Sequence, residues 1–271
     1  MTSLPSNKDY KVLFRFNSAM SCLHSEIGLK STLDLVNPLV IMRDNVWQIL
    51  MQKKTEERCD RSGLDLFSNK EKYEGYANDF REFIGYYKTE IAGKYGRKIT
   101  NRTKAEVSKI YEDYLKFMCF YELTEYPYHD HPYHMMLKTS DAILKKNLTD
   151  LGKLKVEGRK VLNGYVFKHG ILANVFQCLS EKFSLDGRYC YNLYSDELLA
   201  LFDGKKVSDE IIEKRKMCYA AANTDGNFQI FSYEDSLKIA DDFLKIPSVD
   251  SVKGLVANKG KVKGKVVIAL C

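Results

Sequence analysis

The stretch SNKEKYEGYANDFREFIGYYKTEI, residues 68–91, indicates a long amphipathic helix. Ser68 and Glu71 have the spacing of a capping box, in which each side chain satisfies a backbone N–H at the start of a helix. Apolar and aromatic residues then recur at intervals of three and four positions. They are Tyr73, Tyr76, Phe80, Phe83, Ile84, Tyr87 and Ile91. Because Gly93 and Gly96 follow, we predict a helix over residues 68–95.

A second stretch, TKAEVSKIYEDYLKFM at 103–118, has the same organisation. Thr103 and Glu106 form another capping box, and apolar residues follow at helical spacing. They are Val107, Ile110, Tyr111, Tyr114, Leu115 and Met118. Both helices carry a wide apolar stripe and the connection between them is short. We therefore expect the helices at 68–95 and 103–122 to pack as an antiparallel pair.

The chain after this pair also has mostly helical patterns. Serine side chains are good helix N-caps, because the hydroxyl accepts a hydrogen bond from a free N–H of the first turn. On these signals we expect further helices over 136–150, over 166–183, from Ser195 to Gly204, from Ser208 and from Ser232.

The first 65 residues give weaker signals. YKVLFRF at 10–16 suits either a strand or the start of a helix. The apolar residues after Pro38 have helical spacing and predict a helix there. They are Val40, Ile41, Val46, Trp47 and Leu50.

The pattern changes to that of strands only after Pro247. We therefore predict a mainly α protein, with a helical body at 1–246 and a small C-terminal β-ribbon that looks like the start of a β/α/β domain. Residues 247–271 would be the hinge and the truncated beginning of that second domain.

The composition of the 271 residues is that of a chain able to bury a core, with 45% hydrophobic and 29% charged residues. The formal net charge of +6 is mild for this length and makes nucleic acid an unlikely partner. The N-terminal residues predict no secretory signal, and no apolar run is long enough for a membrane span.

Seven dispersed cysteines, without a CxxC pair, indicate free thiols in a reducing compartment. The sequence therefore predicts a cytoplasmic protein. None of the GxSxG, HExxH, Walker A and GxGxxG motifs is present, and no residue is assigned a catalytic role.

Three of the five histidines lie in EYPYHDHPYHMM at 125–136. His129, His131 and His134 are candidate zinc ligands because imidazole binds Zn²⁺ well. The alternative, which we favour, is that the prolines enforce an extended loop between helices whose side chains pack on helix ends. We therefore expect no bound metal.

His24 and His169 are the remaining histidines, and each stands alone in apolar surroundings. We expect each to be a packed or surface residue rather than a catalytic base.

The C-terminal stretch GLVANKGKVKGKVVIALC, residues 254–271, combines regularly spaced glycines with β-forming residues. It resembles the opening of the swivelling phosphohistidine domain of phosphoenolpyruvate-utilising enzymes, such as phosphoenolpyruvate synthase and pyruvate phosphate dikinase. That domain starts with G-x-x-A-S-x-G-x-x-x-G-x-V, and five residues match this pattern in order. They are Gly254, Ala257, Gly260, Gly264 and Val266. Asn258 stands where the family has Ser, and Lys259 where Pro is common.

The segment before the tail is similar to the helical lead-in of the same enzymes. The residues at familiar places are Glu197, Leu198, Gly204, Ile211 and Arg215. The resemblance implies a fragment or degenerate relative of such a phosphotransferase, in which this chain is the helical connector for the swivelling domain. Its partners would be the remaining phosphotransferase domains.

In the family, the phosphoryl-accepting histidine lies in a Gly-rich loop of the part that would follow residue 271. ATP and Mg²⁺ are implied only for the complete family enzyme, because the ATP-grasp module and the phosphoenolpyruvate-binding module are not visible in this chain. The connector would therefore not transfer phosphate alone.

The alternative is a non-enzymatic helical binding protein with a basic hairpin for anions or RNA. Five lysines in the tail favour it: Lys253, Lys259, Lys261, Lys263 and Lys265. The lysines lack interleaved aromatic residues for stacking on bases, which weighs against RNA. A metalloprotein built on the histidines at 129–134 is a third possibility.

Overall fold

The computed structural model describes residues 4–32, 35–97, 101–167 and 169–244. These residues are mainly helical and contain one five-stranded antiparallel sheet, so the prediction of a mainly α protein is confirmed. The hinge and tail expected at 247–271, with all five family-motif positions, lie outside the described residues.

The strands are β1 (Tyr10–Phe16), β2 (Pro38–Arg43), β3 (Val46–Gln52), β4 (Cys218–Thr224) and β5 (Asn227–Ile230). The helices are α1 (Cys22–Lys30), α2 (Glu56–Ser68), α3 (Lys70–Tyr86), α4 (Ala92–Tyr95), α5 (Lys104–Glu122), α6 (Tyr126–Lys138), α7 (Ala142–Val166), α8 (Ile171–Phe183), α9 (Ser195–Ala200), α10 (Asp209–Met217) and α11 (Tyr233–Phe243). A π-helical segment, Tyr87–Ile91, joins α3 to α4. Short 3₁₀ turns are Lys53–Thr55, Cys190–Asn192 and Leu201–Asp203.

The strand order in the sheet is β1-β3-β2-β4-β5, so the first and last parts of the described chain share one sheet. Two tight hairpin turns build it. Asp44 and Asn45 connect β2 to β3 with φ of 51° and 61°, and Asp225 and Gly226 connect β4 to β5 with φ of 48° and 80°. Positive φ at both central positions is typical of the type I′ turn, whose twist matches that of the strands.

The prediction of a helix after Pro38 is wrong, because this region forms the β2–β3 hairpin. The β2 sequence PLVIMR is a continuous apolar run, and it is buried on both faces of the sheet. Such a run lacks the alternation of a half-buried strand and resembles a buried helix in its pattern. The expectation that strands begin only after Pro247 is also wrong, and 10–16 is a strand.

Helices cover both faces of the sheet. Leu39, Ile41 and Leu50 face α11, and their neighbours Val40 and Ile49 face α1. Helix α1 also reaches the helical core, since its Leu23 and Ile27 pack there while Cys22 and Leu29 pack on the sheet. It therefore joins the sheet to the helical part of the body.

The antiparallel pair is confirmed by contacts between α3 and α5. The Tyr76 hydroxyl donates to the Phe120 carbonyl at 3.0 Å, and at the opposite end Lys109 Nζ lies 5.6 Å from the centre of the Tyr86 ring. Later residues of one helix thus meet earlier residues of the other. Stacked rings such as Phe80 and Phe120, 5.7 Å apart, fill the interface.

The predicted N-caps are confirmed at Thr103, Ser208 and Ser232, where each side chain accepts from a backbone N–H of the first turn. Two are wrong. Ser68 is the last residue of α2, and Asn69 caps α3 instead by accepting from the Lys72 N–H at 3.0 Å.

Ser195 is the first residue of α9 rather than its cap. Gly204 does end the following turn, with φ of 73°. The helix expected over 136–150 is divided between α6 and α7, and the one expected over 166–183 begins at Ile171.

The prediction of an extended loop at 125–134 is wrong, because this segment forms the helix α6. Pro127 lies in its first turn, where the missing N–H costs nothing. Pro132 lies inside the helix and cannot donate to the Tyr128 carbonyl four residues earlier. That carbonyl lies against Gly63 of α2, where a Cβ would come within 1.8 Å of the oxygen. Glycine therefore permits the close approach of α2 and α6.

Among the helices of the described residues, none is long and apolar enough to cross a membrane.

Candidate functional site

A cavity of about 860 Å³ opens between the start of α1, the end of α7, helix α8 and the segment after α8. Its lining is mostly apolar and aromatic, with a few polar groups. The lining residues are Met20, Ser21, His24, Val166, Phe167, Leu172, Ala173, Phe176, Gln177, Ser180, Glu181, Ser184, Leu185, Gly187 and Tyr191. Its volume and lining are typical of small-molecule sites in proteins.

His24 is the ionisable group of the cavity that is packed most deeply. Its ring lies between Trp47 and Tyr114, with centroid distances of 5.9 and 6.0 Å. Burial lowers the pKa of His24 to about 4, because the charged imidazolium would lose its hydration. The ring is therefore neutral at pH 7. The expectation of a packed histidine is confirmed for His24, and that of a surface histidine for the exposed His169.

The tautomer of His24 follows from its hydrogen bond. Nδ1 lies 2.7 Å from the Tyr114 hydroxyl, and Tyr114 is fully buried. The phenol hydrogen has no other acceptor among the described residues, so the O–H donates to Nδ1 and the ring proton resides on Nε2. His24 lines the cavity, and since its Nδ1 is bonded to Tyr114, Nε2–H is the ring group that remains for a ligand there.

The other polar groups of the cavity are largely engaged within the protein. The Ser21 hydroxyl accepts from the His24 N–H at 3.1 Å, and the Ser180 hydroxyl donates to the Asp186 carbonyl at 3.3 Å. At the exposed rim, Gln177 Nε2 donates to Glu181 Oε1 at 2.9 Å. Of the described residues that line the cavity, none is Lys or Arg.

A buried carboxylate anchors α1 next to this cavity. Glu26 is 2% exposed and accepts from the Ser195 N–H at 2.7 Å and from the Ser195 hydroxyl at 2.6 Å. Lys30 Nζ lies 2.6 Å from the same carboxylate. Because this charge is paired and fully hydrogen-bonded, it is structural rather than available for chemistry.

Two neighbouring carboxyl groups, Glu122 and Glu125, lie where α5 meets α6 and α7. Glu125 is paired with Lys155 at 3.0 Å and with Arg159 at 3.3 Å. Burial, and then the nearby charge of Glu125, raise the pKa of Glu122 to about 8, although Lys155 opposes the shift. Glu122 is therefore protonated at pH 7. It does not line the cavity beside His24.

Helix α11, at the C-terminal end of the described residues, is fixed to the sheet. Ser236 is 1% exposed, and its hydroxyl accepts from the Ala220 N–H of β4 at 3.0 Å. Asp241 is paired with Arg43 of β2. The Asp242 carboxylate accepts from the backbone and side-chain N–H groups of Asn7, at 2.9 and 3.0 Å. Helix α11, which ends next to residue 244, is thus held on the sheet by several side-chain contacts.

The structure does not bring the three histidines of α6 together. His131 Nδ1 lies 4.0 Å from an Asp60 carboxylate oxygen, and His134 Nδ1 lies 2.9 Å from the Asp130 carbonyl. His129 is half-buried, and burial together with nearby Lys155 lowers its pKa. Among the described residues, no group of three His, Cys, Asp or Glu is arranged to hold a metal ion.

The structure does bring together two residues of the predicted family lead-in. Arg215 forms two hydrogen bonds to the Glu197 carboxylate, at 2.6 and 2.8 Å, and its guanidinium lies 4.7 Å from the centre of the Tyr194 ring. Leu198 is buried. Ile211 is exposed and makes no comparable contribution.

No protein-family model, curated protein or solved structure gives a significant match to this chain.

Proposed function

We propose that this chain is the connector and first segment of the swivelling phosphohistidine domain in a phosphoenolpyruvate-utilising phosphotransferase. Residues 4–244 would be the fixed body, and the segment with Gly254, Gly260 and Gly264 would begin a β/α/β domain. The proposal starts from the glycine spacing of the tail.

The anchoring of α11 is the observation that carries the proposal. A domain that swings between two sites needs a fixed part against which it moves and a short joint between the two. Hydrogen bonds through Ser236 and Asp242, and an ion pair through Asp241, hold α11 on the sheet. A segment that starts at residue 245 therefore starts from a rigid base.

The ion pair of Glu197 and Arg215 gives further support. Both residues stand at positions that the resemblance singles out, and they are 18 positions apart in the sequence. A bidentate pair of this kind fixes orientation as well as distance. It holds α9 and α10 together immediately before β4, and so fixes the route of the chain towards α11.

In this proposal the body performs no chemistry of its own. Phosphoryl transfer depends on positioning a nucleophile against phosphate and metal. The nucleophile would be a histidine of the swivelling domain, and the phosphate donor would bind to the other domains. We also propose a cytoplasmic location, and the six free thiols among the described residues support it.

The test is the sequence of the reading frame downstream of the codon for Cys271. We expect the frame to continue into a Gly-rich loop that contains a histidine. A stop codon directly after Cys271 would contradict the proposal. It would favour the alternative, in which the lysines of the tail bind an anion or RNA without catalysis.

A further inference from the structure

We propose that the cavity beside His24 binds a neutral, mostly apolar small molecule through a carbonyl oxygen that accepts a hydrogen bond from His24 Nε2–H. This site is independent of the phosphotransferase proposal, because it needs no residue of the tail. It is formed by the start of α1 and by α8, which are about 150 residues apart in the sequence.

The apolar character of the ligand follows from the floor of the cavity. Leu172 and Phe176 of α8 are buried, and Tyr191 and Met20 lie beside them. Phe176 and Tyr191 make an edge-to-face contact, with ring centres 5.8 Å apart. Flat apolar molecules gain most from such a surface, because they replace water on aromatic and aliphatic groups.

The absence of net charge on the ligand follows from the electrostatics. Of the described residues that line the cavity, none is Lys or Arg, and Glu181 at the rim is acidic. The charge of Arg188, an exposed residue outside this lining, acts on Tyr191. An anionic ligand inside the cavity would lose hydration and would find no cationic side chain among the described lining residues. A cationic ligand would meet Glu181 only at the exposed rim, where the ion pair is weak.

The hydrogen-bonding group of the ligand follows from the tautomer of His24. Tyr114 donates to Nδ1, so Nε2 carries the proton and needs an acceptor. In the described part of the chain, no side chain or carbonyl accepts from Nε2. A ketone, ester or amide oxygen on the ligand satisfies this donor, and the low pKa of His24 keeps the donor uncharged above about pH 5.

The chain has a built-in reporter for this site. Trp47 is the only tryptophan in the sequence, and its ring centre lies 5.9 Å from that of His24. The neutral naphthyl ketone Prodan absorbs where tryptophan emits, so its binding can be followed by energy transfer from Trp47. We expect saturable binding of one Prodan per chain, with quenching of Trp47 emission.

Two variants test the location. Ala173 of α8 lines the cavity, and Ala173→Phe would fill it, so we expect loss of at least tenfold in Prodan affinity. Ala105→Phe is the matched control on the exposed side of α5 and should bind Prodan like the unmodified protein. Unfolding by urea confirms that both variants are folded.

The role of His24 is tested with a pair of ligands. His24→Phe keeps an aromatic ring between Trp47 and Tyr114 but removes the donor, so we expect Prodan to bind about five- to tenfold more weakly. Binding of 2-dimethylaminonaphthalene, which lacks the carbonyl, should be unchanged in the same variant. The anionic dye 1-anilinonaphthalene-8-sulfonate should bind the unmodified protein at least tenfold more weakly than Prodan.

The proposal is overturned if Prodan does not bind saturably, or if Ala173→Phe binds it as well as Ala105→Phe does. Equal or tighter binding of the anionic dye would overturn the assignment of a neutral ligand. An equal loss for both naphthalenes in His24→Phe would show that the carbonyl does not contact His24.

Discussion

The Glu26 carboxylate accepts hydrogen bonds from both the N–H and the hydroxyl of Ser195, a residue 169 positions later in the sequence. The contact joins the first helix to the start of α9. It also fixes α1 between the sheet and the helical core, where α1 borders the cavity with His24. A single buried carboxylate thus helps to hold α1 against the start of α9.

Glu26→Gln should destabilise the protein by about 2 kcal/mol. The amide has only one acceptor oxygen, and Lys30 loses its charged partner. The free energy of unfolding in urea measures the effect. Glu213→Gln is the matched control, because Glu213 is 64% exposed and its pairing with Lys216 should contribute less than about 0.5 kcal/mol. Equal losses in the two variants would refute the anchoring role of Glu26.

Gly63→Ala should be among the most damaging single-methyl changes in the body. The new Cβ would lie 1.8 Å from the Tyr128 carbonyl oxygen, so α2 and α6 would have to separate. We expect a loss of about 3 kcal/mol or more, measured by urea unfolding. Gly75→Ala, with open space around its Cβ, should instead stabilise by up to about 1 kcal/mol. If Gly63→Ala left the free energy of unfolding unchanged, α2 and α6 would not be in close contact.

Glu122→Gln should stabilise the protein at alkaline pH. The pKa of Glu122 is raised to about 8 in the folded protein from an ordinary value of 4.5. The unfolded chain therefore releases this proton at lower pH, and stability is lost as pH rises from 4.5 through 8. Glutamine cannot ionise. Since Glu122 is only half-buried, we discount the full effect of the shift. We expect Glu122→Gln to raise the free energy of unfolding, relative to the unmodified protein, by about 2–4 kcal/mol more at pH 9 than at pH 4.5.

The control for this change is Glu82→Gln on the exposed side of α3, which should show the same pH dependence as the unmodified protein. Urea unfolding at a series of pH values provides the comparison. If Glu122→Gln and the unmodified protein have parallel pH profiles, Glu122 is ionised in the folded state at neutral pH.

Ser236→Ala should loosen α11 without unfolding the body. The Ala220 N–H would lose its acceptor in a buried position, which costs about 1–2 kcal/mol. Hydrogen exchange of the α11 amides, such as Ala240, should quicken accordingly. Lys238→Ala on the exposed face of α11 should leave exchange almost unchanged. Equal protection of α11 in both variants would contradict its proposed anchoring.

The helices could be predicted from the sequence where their signals are local. Thr103, Ser208 and Ser232 cap helices within the next three residues, so short windows contain all the information. Both Ser68 and Asn69 have a side chain that can accept a hydrogen bond from the first turn of α3. Asn69 is the N-cap because α2 continues through Ser68. Boundaries of this kind depend on the neighbouring helix as well as on the cap.

The sheet could not be predicted in the same way, because its central strands are buried on both faces. Alanines 220 to 222 favour helices by propensity, yet they lie in β4 because the sheet is tightly covered there. One local signal was present: Asp225–Gly226 is a strong hairpin sequence and identifies the β4–β5 turn. The cavity needs α1 and α8 together, and no local pattern predicts that contact.

Phosphoryl labelling of the full product of the reading frame that contains these residues tests the proposed function most directly. The protein is incubated with ³²P-labelled phosphoenolpyruvate and Mg²⁺, and the labelled peptide is identified after proteolysis. We predict an acid-labile label on a histidine beyond Cys271 and none on residues 1–271. A product without label, or label confined to residues 1–271, would contradict the account.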